Sequence, residues 1–343
     1  MKRHLNTLYV TTQNAWLAKE GECIVVKVEG ETRGKIPALA LDGIVCFGLV
    51  SISPFLVAHC AENGVTITQL TENGRFLARI HGETSGNVLL RREQYRWADD
   101  PIRSTAMARF FLIGKVHNTR LVVQRGAREA DQEARSTALT DAAECLLIAR
   151  RSIEHETDLD RMRGYEGEAA LTYWRAFPNL LTTSDEKLRF NGRSRRPPLD
   201  PVNAMLSFLY TMLAHDVRAA LEGVGLDPYV GFLHRDRPGR PGLALDLMEE
   251  FRPWTVDRLV ATLINRGQVK GSDFRVEDTG AVLMSDDLRK LVLTTWQDRK
   301  KDVVTHPFLD EKMPVGLLWH TQSLLLARHL RGDLDGYPAY LWK

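Results

Sequence analysis

Three short segments of this chain place hard-metal ligands in an interpretable pattern. In the first, Gly164-Tyr165-Glu166-Gly167-Glu168-Ala169-Ala170, the residues read as the opening of a helix that continues through Trp174. Glycine on each side of Glu166 permits close backbone approach around its carboxylate. In the second, Gly231-Phe232-Leu233-His234, an apolar run ends in an imidazole, and a turn holding Arg235, Arg237 and Arg240 follows at once. The third is Leu243–Phe251, where Asp246 and Glu249 stand at i and i+3 and share a helix face. Glu250 follows at i+4, and Leu243, Leu247 and Phe251 are positioned for the core. Carboxylates with one imidazole and no thiolate suit Mg²⁺ or Mn²⁺ better than structural zinc. Such a cation favours phosphoryl transfer, because it withdraws charge from phosphodiester oxygens and orients the attacking oxygen.

Each segment also has a plainer account. A Glu at a helix start partners the helix dipole. A loop His is often polar surface, and an Asp–Glu pair at i, i+3 is often a solvated face. Other constellations carry less. Gly223-Val224-Gly225 lacks the third glycine and the preceding strand of a dinucleotide loop. No P-loop and no serine-hydrolase elbow is present. His59, Cys60, His215 and His320 lie in helical contexts and read as packing or hydrogen-bonding residues.

The elements that must position these residues fall into two textures. Through residue 90 the chain is β-rich, with Cys23–Val28, Gly64–Leu70 and Phe76–Ile80 as strands. Asn73-Gly74 predicts a type I′ hairpin turn. Ser53, Pro54 and Asn63-Gly64 supply the cap, the first residue and the stop of a short helix between strands. Helical periodicity then takes over at 102–124, 127–157, 202–222, 254–266, 285–300 and 315–330. Ser285-Asp286-Asp287 reads as a helix start rather than a metal cluster. The expected organisation is α+β: a β-rich domain over 1–90, a link over 91–101, and a large all-α domain over 102–343.

One long break, 178–201, interrupts the helices. Within it Lys187, Arg189, Arg193, Arg195 and Arg196 occur in ten residues without one acid. The stretch is either a solvated loop or a phosphate-binding loop, for which Arg is well suited. Over the whole chain, 46 Lys and Arg against 44 Asp and Glu give a net charge of +2. That balance neither demands nor excludes a nucleic-acid partner; local clustering decides. Cys23, Cys46, Cys60 and Cys145 form no C-x-x-C pair, which excludes a zinc ribbon and fits a reducing compartment. No stretch is long and apolar enough to span a bilayer, and the basic start lacks an apolar core behind it. The expected location is the cytoplasm, with no membrane partner.

Together, RGYEGEAALTYW, RRPPLDPVNAMLSFLYTMLAHDVRAALEGVGLDPYVGFLH and RPGLALDLMEEFRP, in that order over 163–253, carry a resemblance. The chain resembles the CRISPR-associated integrase/endonuclease, the universal first Cas protein of the spacer-acquisition complex. DGIVCFG and the ending PVGLLWHTQSLLLARHLRGDLDGYPAYLWK are similar to the family as well, the ending most of all to subtype I-C. The resemblance implies a β domain that pairs two copies and a helical catalytic domain. It implies Glu166, His234 and Glu249 as ligands of Mg²⁺ or Mn²⁺, with Asp246 needed beside the metal. Many members carry Asp where Glu249 stands, so Glu250 competes for that role. The implied reaction is integration of captured DNA, in which a 3′-OH attacks a phosphodiester at the edge of a CRISPR repeat. The implied partners are DNA, a second copy, a small ferredoxin-like second Cas protein and, for subtype I-C, a Cas4-type iron–sulfur nuclease. In that setting Arg189, Arg193, Arg195 and Arg196, with Arg235, Arg237 and Arg240, are expected to touch the DNA backbone. Two other classes compete: a non-catalytic DNA-binding scaffold on the same fold, and a hydrolase of a small phosphoester. Joint retention of Glu166, His234, Asp246 and Glu249 argues against the first, and the extent of the basic segments against the second.

Overall fold

The computed structural model describes residues 7–41, 43–72, 74, 76–80, 82 and 88–343. Its β-rich part runs β1 (Thr7–Val10), β2 (Ala15–Glu20), β3 (Cys23–Val28), β4 (Glu31–Pro37), β5 (Gly43–Phe47), β6 (Val50–Ile52), α1 (Pro54–Glu62), β7 (Thr66–Leu70) and β8 (Phe76–Ile80). Two four-stranded sheets result, in the orders β1-β5-β7-β8 and β4-β3-β2-β6. β5 and β7 are parallel, from Gly43 opposite Thr66 to Phe47 opposite Leu70. Parallel neighbours need a crossover, and α1 lies within it. Its start is the expected one: Ser53 accepts the N–H of Leu56, and Pro54 follows at the first helical position. Leu17, Ile24, Ile44, Leu56 and Ile67 close the core here. β7 and β8 pair antiparallel, as a hairpin requires. The expected Asn73-Gly74 turn involves residues outside those described, and so does its type.

The rest of the chain is mostly helical: α2 (Val88–Asp99), α3 (Pro101–Glu129), α4 (Glu133–His155), α5 (Leu159–Ala176), α6 (Pro201–Gly223), α7 (Gly242–Met248), α8 (Arg258–Asn265), α9 (Asp286–Lys301) and α10 (Val315–Leu330). A β-rich N-terminal part followed by a mostly helical part is the architecture expected from the periodicities. The chain divides into two compact units. One holds the described residues through Gly82 together with Arg289–Asp302 and Pro314–Leu317. Within it, Arg289 donates to the Glu72 carbonyl and Gln297 to that of Thr7, which ties α9 to the strands. The other unit holds the remaining helices.

Several local expectations are corrected. The link placed at 91–101 is helical through Asp99, because Leu90 and Gln94 bury one face; Asp100 then caps α3 through the N–H groups of Ile102 and Arg103. The break expected near 125–126 falls after Glu129 instead. Gly126 does not stop the helix; its missing side chain makes room for Leu180. Glu166 lies inside α5, not at its opening, since the cap is Asp158, well ahead of Gly164-Tyr165-Glu166. Two short hairpins, β9 (Phe274–Val276) with β10 (Val282–Met284) and β11 (Val303–Thr305) with β12 (Lys312–Pro314), occur where no strand was expected. Three-residue strands are too short to show alternation. The helix expected at 254–266 begins as a π-turn over Pro253–Asp257.

Candidate active site

His234 is delivered by a loop held from several sides in the helical unit. Gln94, fully buried on α2, donates to the carbonyls of Asp227 and Val230 at 2.8 Å each and accepts the N–H of Asp227 at 2.9 Å. Arg163 of α5 donates to the Leu233 carbonyl at 2.6 Å. Asp246, buried on α7, does the rest. One of its oxygens accepts the N–H groups of Phe232 and Leu233 at 2.6 and 2.9 Å, and the other accepts that of His234 at 3.0 Å. The same oxygen lies 2.6 Å from His234 Nδ1. An acceptor carboxylate there requires Nδ1 to carry the proton, which leaves the Nε2 lone pair for a cation. The loop and α7 approach so closely that only glycine fits. A Cβ on Gly231 would stand 2.7 Å from Asp246 Oδ2.

Glu166 and Glu249 come from different elements and meet at one ammonium. Lys115 of α3 lies 2.5 Å from Glu166 Oε1 and 2.9 Å from Glu249 Oε2. Arg252 closes on the other Glu249 oxygen at 2.6 Å. Burial pushes the Glu249 carboxyl up, but Arg252, Lys115 and His234 outweigh it and hold it at about 2. Burial likewise opposes the charge on Lys115, yet Glu249 and Glu166 keep its ammonium above the ordinary value. Apart from the Lys115 ion pair, no described residue donates a hydrogen bond to buried Glu249 Oε2.

Glu250 points elsewhere. It accepts from Tyr337 Oη at 2.8 Å, from the N–H of Tyr340 at 2.8 Å and from Gln322 at 3.0 Å. Burial pushes its carboxyl up to about 8. Asn118 joins the same region, donating to the Glu250 and Tyr340 carbonyls, while Trp254 stacks on Tyr340 and Trp342. The C-terminal segment thus fastens the turn that carries Glu249.

Beside Lys115 opens a small cleft whose walls include Glu166, Trp174, Arg195, Tyr210 and Arg252. Asp257 lines the same cleft, accepting from Tyr173 and Tyr210; burial pushes its carboxyl up to about 6. Arg189, Arg195, Arg196, Arg235 and Arg237 are exposed, and Arg240 is half-buried. Arg240 is held below its ordinary value by partial burial and by Arg237, with Arg196 and Arg163 adding to the effect, so the two basic segments bring their charge together. Arg193 departs from the others. It turns inward to Asn203 Oδ1 at 2.6 Å and Ser207 at 3.2 Å, and its guanidinium lies over Trp174 and Tyr210.

Of the three expected ligands, Glu166 and Glu249 are brought to a shared cation and His234 is held by Asp246. Among the described residues, no three of His, Cys, Asp and Glu yet stand close enough to share a metal ion. The donor set nonetheless fits a hard divalent cation. Two carboxylates already share one positive charge, buried Glu249 Oε2 is met by the Lys115 ammonium alone among the described residues, and an imidazole is oriented with Nε2 free of Asp246. Sequence reasoning missed Lys115, Arg252 and Gln94. The signal for Lys115 was present: a lone cation inside the apolar run Phe110–Val116.

The family described as "CRISPR associated protein Cas1" matches residues 8–298. A CRISPR-associated endonuclease Cas1 of Chlorobaculum tepidum is 52% identical over 343 residues, covering 100% of both chains. A CRISPR-associated exonuclease Cas4/endonuclease Cas1 fusion of Geobacter sulfurreducens is 33% identical, covering 97% of this chain and 60% of the fusion. Among solved structures, a casposase bound to integration product superposes with a TM-score of 0.83 at 20% identity, covering 98% of this chain and 94% of the casposase; at that identity the likeness is one of fold.

Proposed function

The chain belongs to the Cas1 family of CRISPR-associated proteins, and from that premise we propose that it is a divalent-metal-dependent DNA integrase and endonuclease of CRISPR adaptation. The observation that carries this reading is the convergence of Glu166 and Glu249 on one cation, with His234 presented by Asp246 in the same unit. Glu166, His234 and Glu249 hold Mg²⁺ or Mn²⁺, which when bound stabilises charge on the phosphodiester oxygens during attack by a 3′-OH. Asp246 acts through His234, fixing its tautomer and ring direction. Arg189, Arg195, Arg196, Arg235, Arg237 and Arg240 contact DNA phosphates and set register without reading sequence. Arg193 instead pins the basic loop to α6 through Asn203. The cleft beside Glu166 seats the reacting strand end, with Arg195 at its wall.

The partners are protospacer and repeat DNA, a second copy of the chain, a dimer of the small second Cas protein, and a Cas4-type nuclease. The Cas4–Cas1 fusion among the relatives supports the last, since fused chains keep their functions adjacent. The C-terminal ending supports assignment to subtype I-C. Among the described residues no helix is long and apolar enough to cross a membrane.

Strand transfer on a branched DNA substrate tests the reading, with Mg²⁺ or Mn²⁺ and with chelator. Wild type should join DNA only with metal, and His234→Ala and Glu166→Ala should each lower the rate at least about 100-fold, the cost of losing an electrostatic contact made in the transition state. Metal-independent joining, or activity that survives both substitutions, would place the chemistry elsewhere.

A further inference from the structure

We infer that Lys115 is a built-in counter-ion that holds the cation position between Glu166 and Glu249 until a divalent ion displaces its ammonium into the adjoining cleft, toward DNA phosphate. This rests on the metal reading above and adds to it a competitor contributed by the chain itself.

Charge and geometry carry the argument. Lys115 reaches the two carboxylates from a third element, α3, at 2.5 and 2.9 Å, and its side chain is 19% exposed. With Arg252 on Glu249, the four groups are charge-neutral as they stand. A divalent ion between the same carboxylates adds two positive charges within a few ångströms of the ammonium. Like charges that close, and partly buried, repel strongly. Arg252 is held by the far Glu249 oxygen and by the Tyr210 ring, with its guanidinium 4.2 Å from the ring centroid. Lys115 is the cation with somewhere to go. It lines the cleft, as Arg252 does, but its ammonium is paired with the two carboxylates and stacks on no ring among the described residues, and a lysine stem has four rotatable carbons. The ammonium that metal expels thereby becomes a phosphate contact.

The test compares wild type, Lys115→Met and Lys115→Arg, using Mn²⁺ alone as the probe. Mn²⁺ affinity is read by calorimetry, and thermal midpoints are taken in chelator and in saturating Mn²⁺. Lys115→Met should bind Mn²⁺ at least tenfold more tightly than wild type. Its midpoint should fall in chelator, where two carboxylates lose their shared cation, and recover in Mn²⁺. Lys115→Arg, which keeps the charge, should bind Mn²⁺ no more tightly than wild type. A purely structural lysine would lower the midpoint equally in both media and leave affinity unchanged or weaker, which overturns the inference while leaving the metal reading intact. Wild-type protein that binds no Mn²⁺ in a Glu166- and His234-dependent manner overturns both. A second measurement needs no variant. Acylation of Lys115 in the wild-type protein, followed by mass spectrometry, should rise several-fold when Mn²⁺ replaces chelator; unchanged labelling overturns the inference.

Discussion

Asp246 shows how much one carboxylate organises at the residue scale. It satisfies three consecutive backbone N–H groups and one ring nitrogen, so a loop with no regular structure presents His234 in one orientation. Asp257 is a carboxylate of the opposite kind, held in the protein interior by two tyrosines with its carboxyl pushed up to about 6. A folded-state value above the ordinary 3.8 means that the folded protein binds this proton more tightly than the unfolded chain. The corresponding stability is complete below the unfolded value and is lost as pH rises through about 6. Asp257→Asn removes that titration. The stability of wild type relative to Asp257→Asn should therefore fall between pH 4 and pH 7, by roughly 2–3 kcal/mol. Denaturant unfolding of both proteins at the two pH values measures it; a constant difference would show that Asp257 is ionised in the fold at all these pH values.

At the scale of the element, α5 carries Glu166 on a helix weakened by its own glycines. A Cβ at Gly164 or Gly167 would meet nothing within 4 Å. No packing inside the chain requires either glycine, whereas Gly231 is required by the contact with α7. Gly167→Ala should accordingly stabilise the protein by about 1 kcal/mol, the helix-propensity difference. If DNA passes close to this face, the same substitution should raise the apparent KM for branched DNA while changing metal affinity little. Chemical unfolding together with strand-transfer kinetics separates the two effects, and a loss of stability would mean that a neighbour does occupy the space. By contrast α6 is fastened at its start. Asp200 caps it through the N–H of Asn203, and the Asn203 side chain bonds Arg193, Ser194 and Gly192, so the basic loop is anchored rather than loosely solvated.

Across the whole molecule, net charge of +2 conceals an uneven distribution of basic side chains. The β-rich residues 1–90 carry eight basic and eight acidic side chains. The helical part instead concentrates Arg189, Arg195 and Arg196 in one segment and Arg235, Arg237 and Arg240 in another. Phosphate contacts release counterions, so each one adds about 0.9 to the slope of log affinity against log salt on duplex DNA. Replacing Arg195, Arg196, Arg235 and Arg237 with Ala should flatten that slope by roughly 3–4. Arg193→Ala should instead lower stability and change the slope little, because its guanidinium is already engaged by Asn203, Ser207 and two rings. Binding titrations over a range of salt distinguish these outcomes, and an unchanged slope in the fourfold variant would remove the basic segments from the interface.

Much of this molecule is legible in its amino-acid order. Period-two alternation marks β3 and β7, Ser53-Pro54 marks the start of α1, and apolar periodicity marks α6 and α10, because burial of one face imposes the period of the backbone on the sequence. Glu166, His234, Asp246 and Glu249 stand out by residue type and spacing. Tertiary structure alone decides how they act. Glu249 and Glu250 are adjacent and chemically identical, yet one meets Lys115 and Arg252 while the other is buried against Gln322, Tyr337 and Tyr340. Lys115 lies 51 residues from Glu166 and 134 from Glu249 in sequence, so their meeting is invisible to any local pattern. Arg193 and Arg195 are two residues apart; one is turned into the fold and the other is exposed. Sequence periodicity records which face of an element is buried. Which charges then share a site depends on how distant elements pack, and that is set by the tertiary structure.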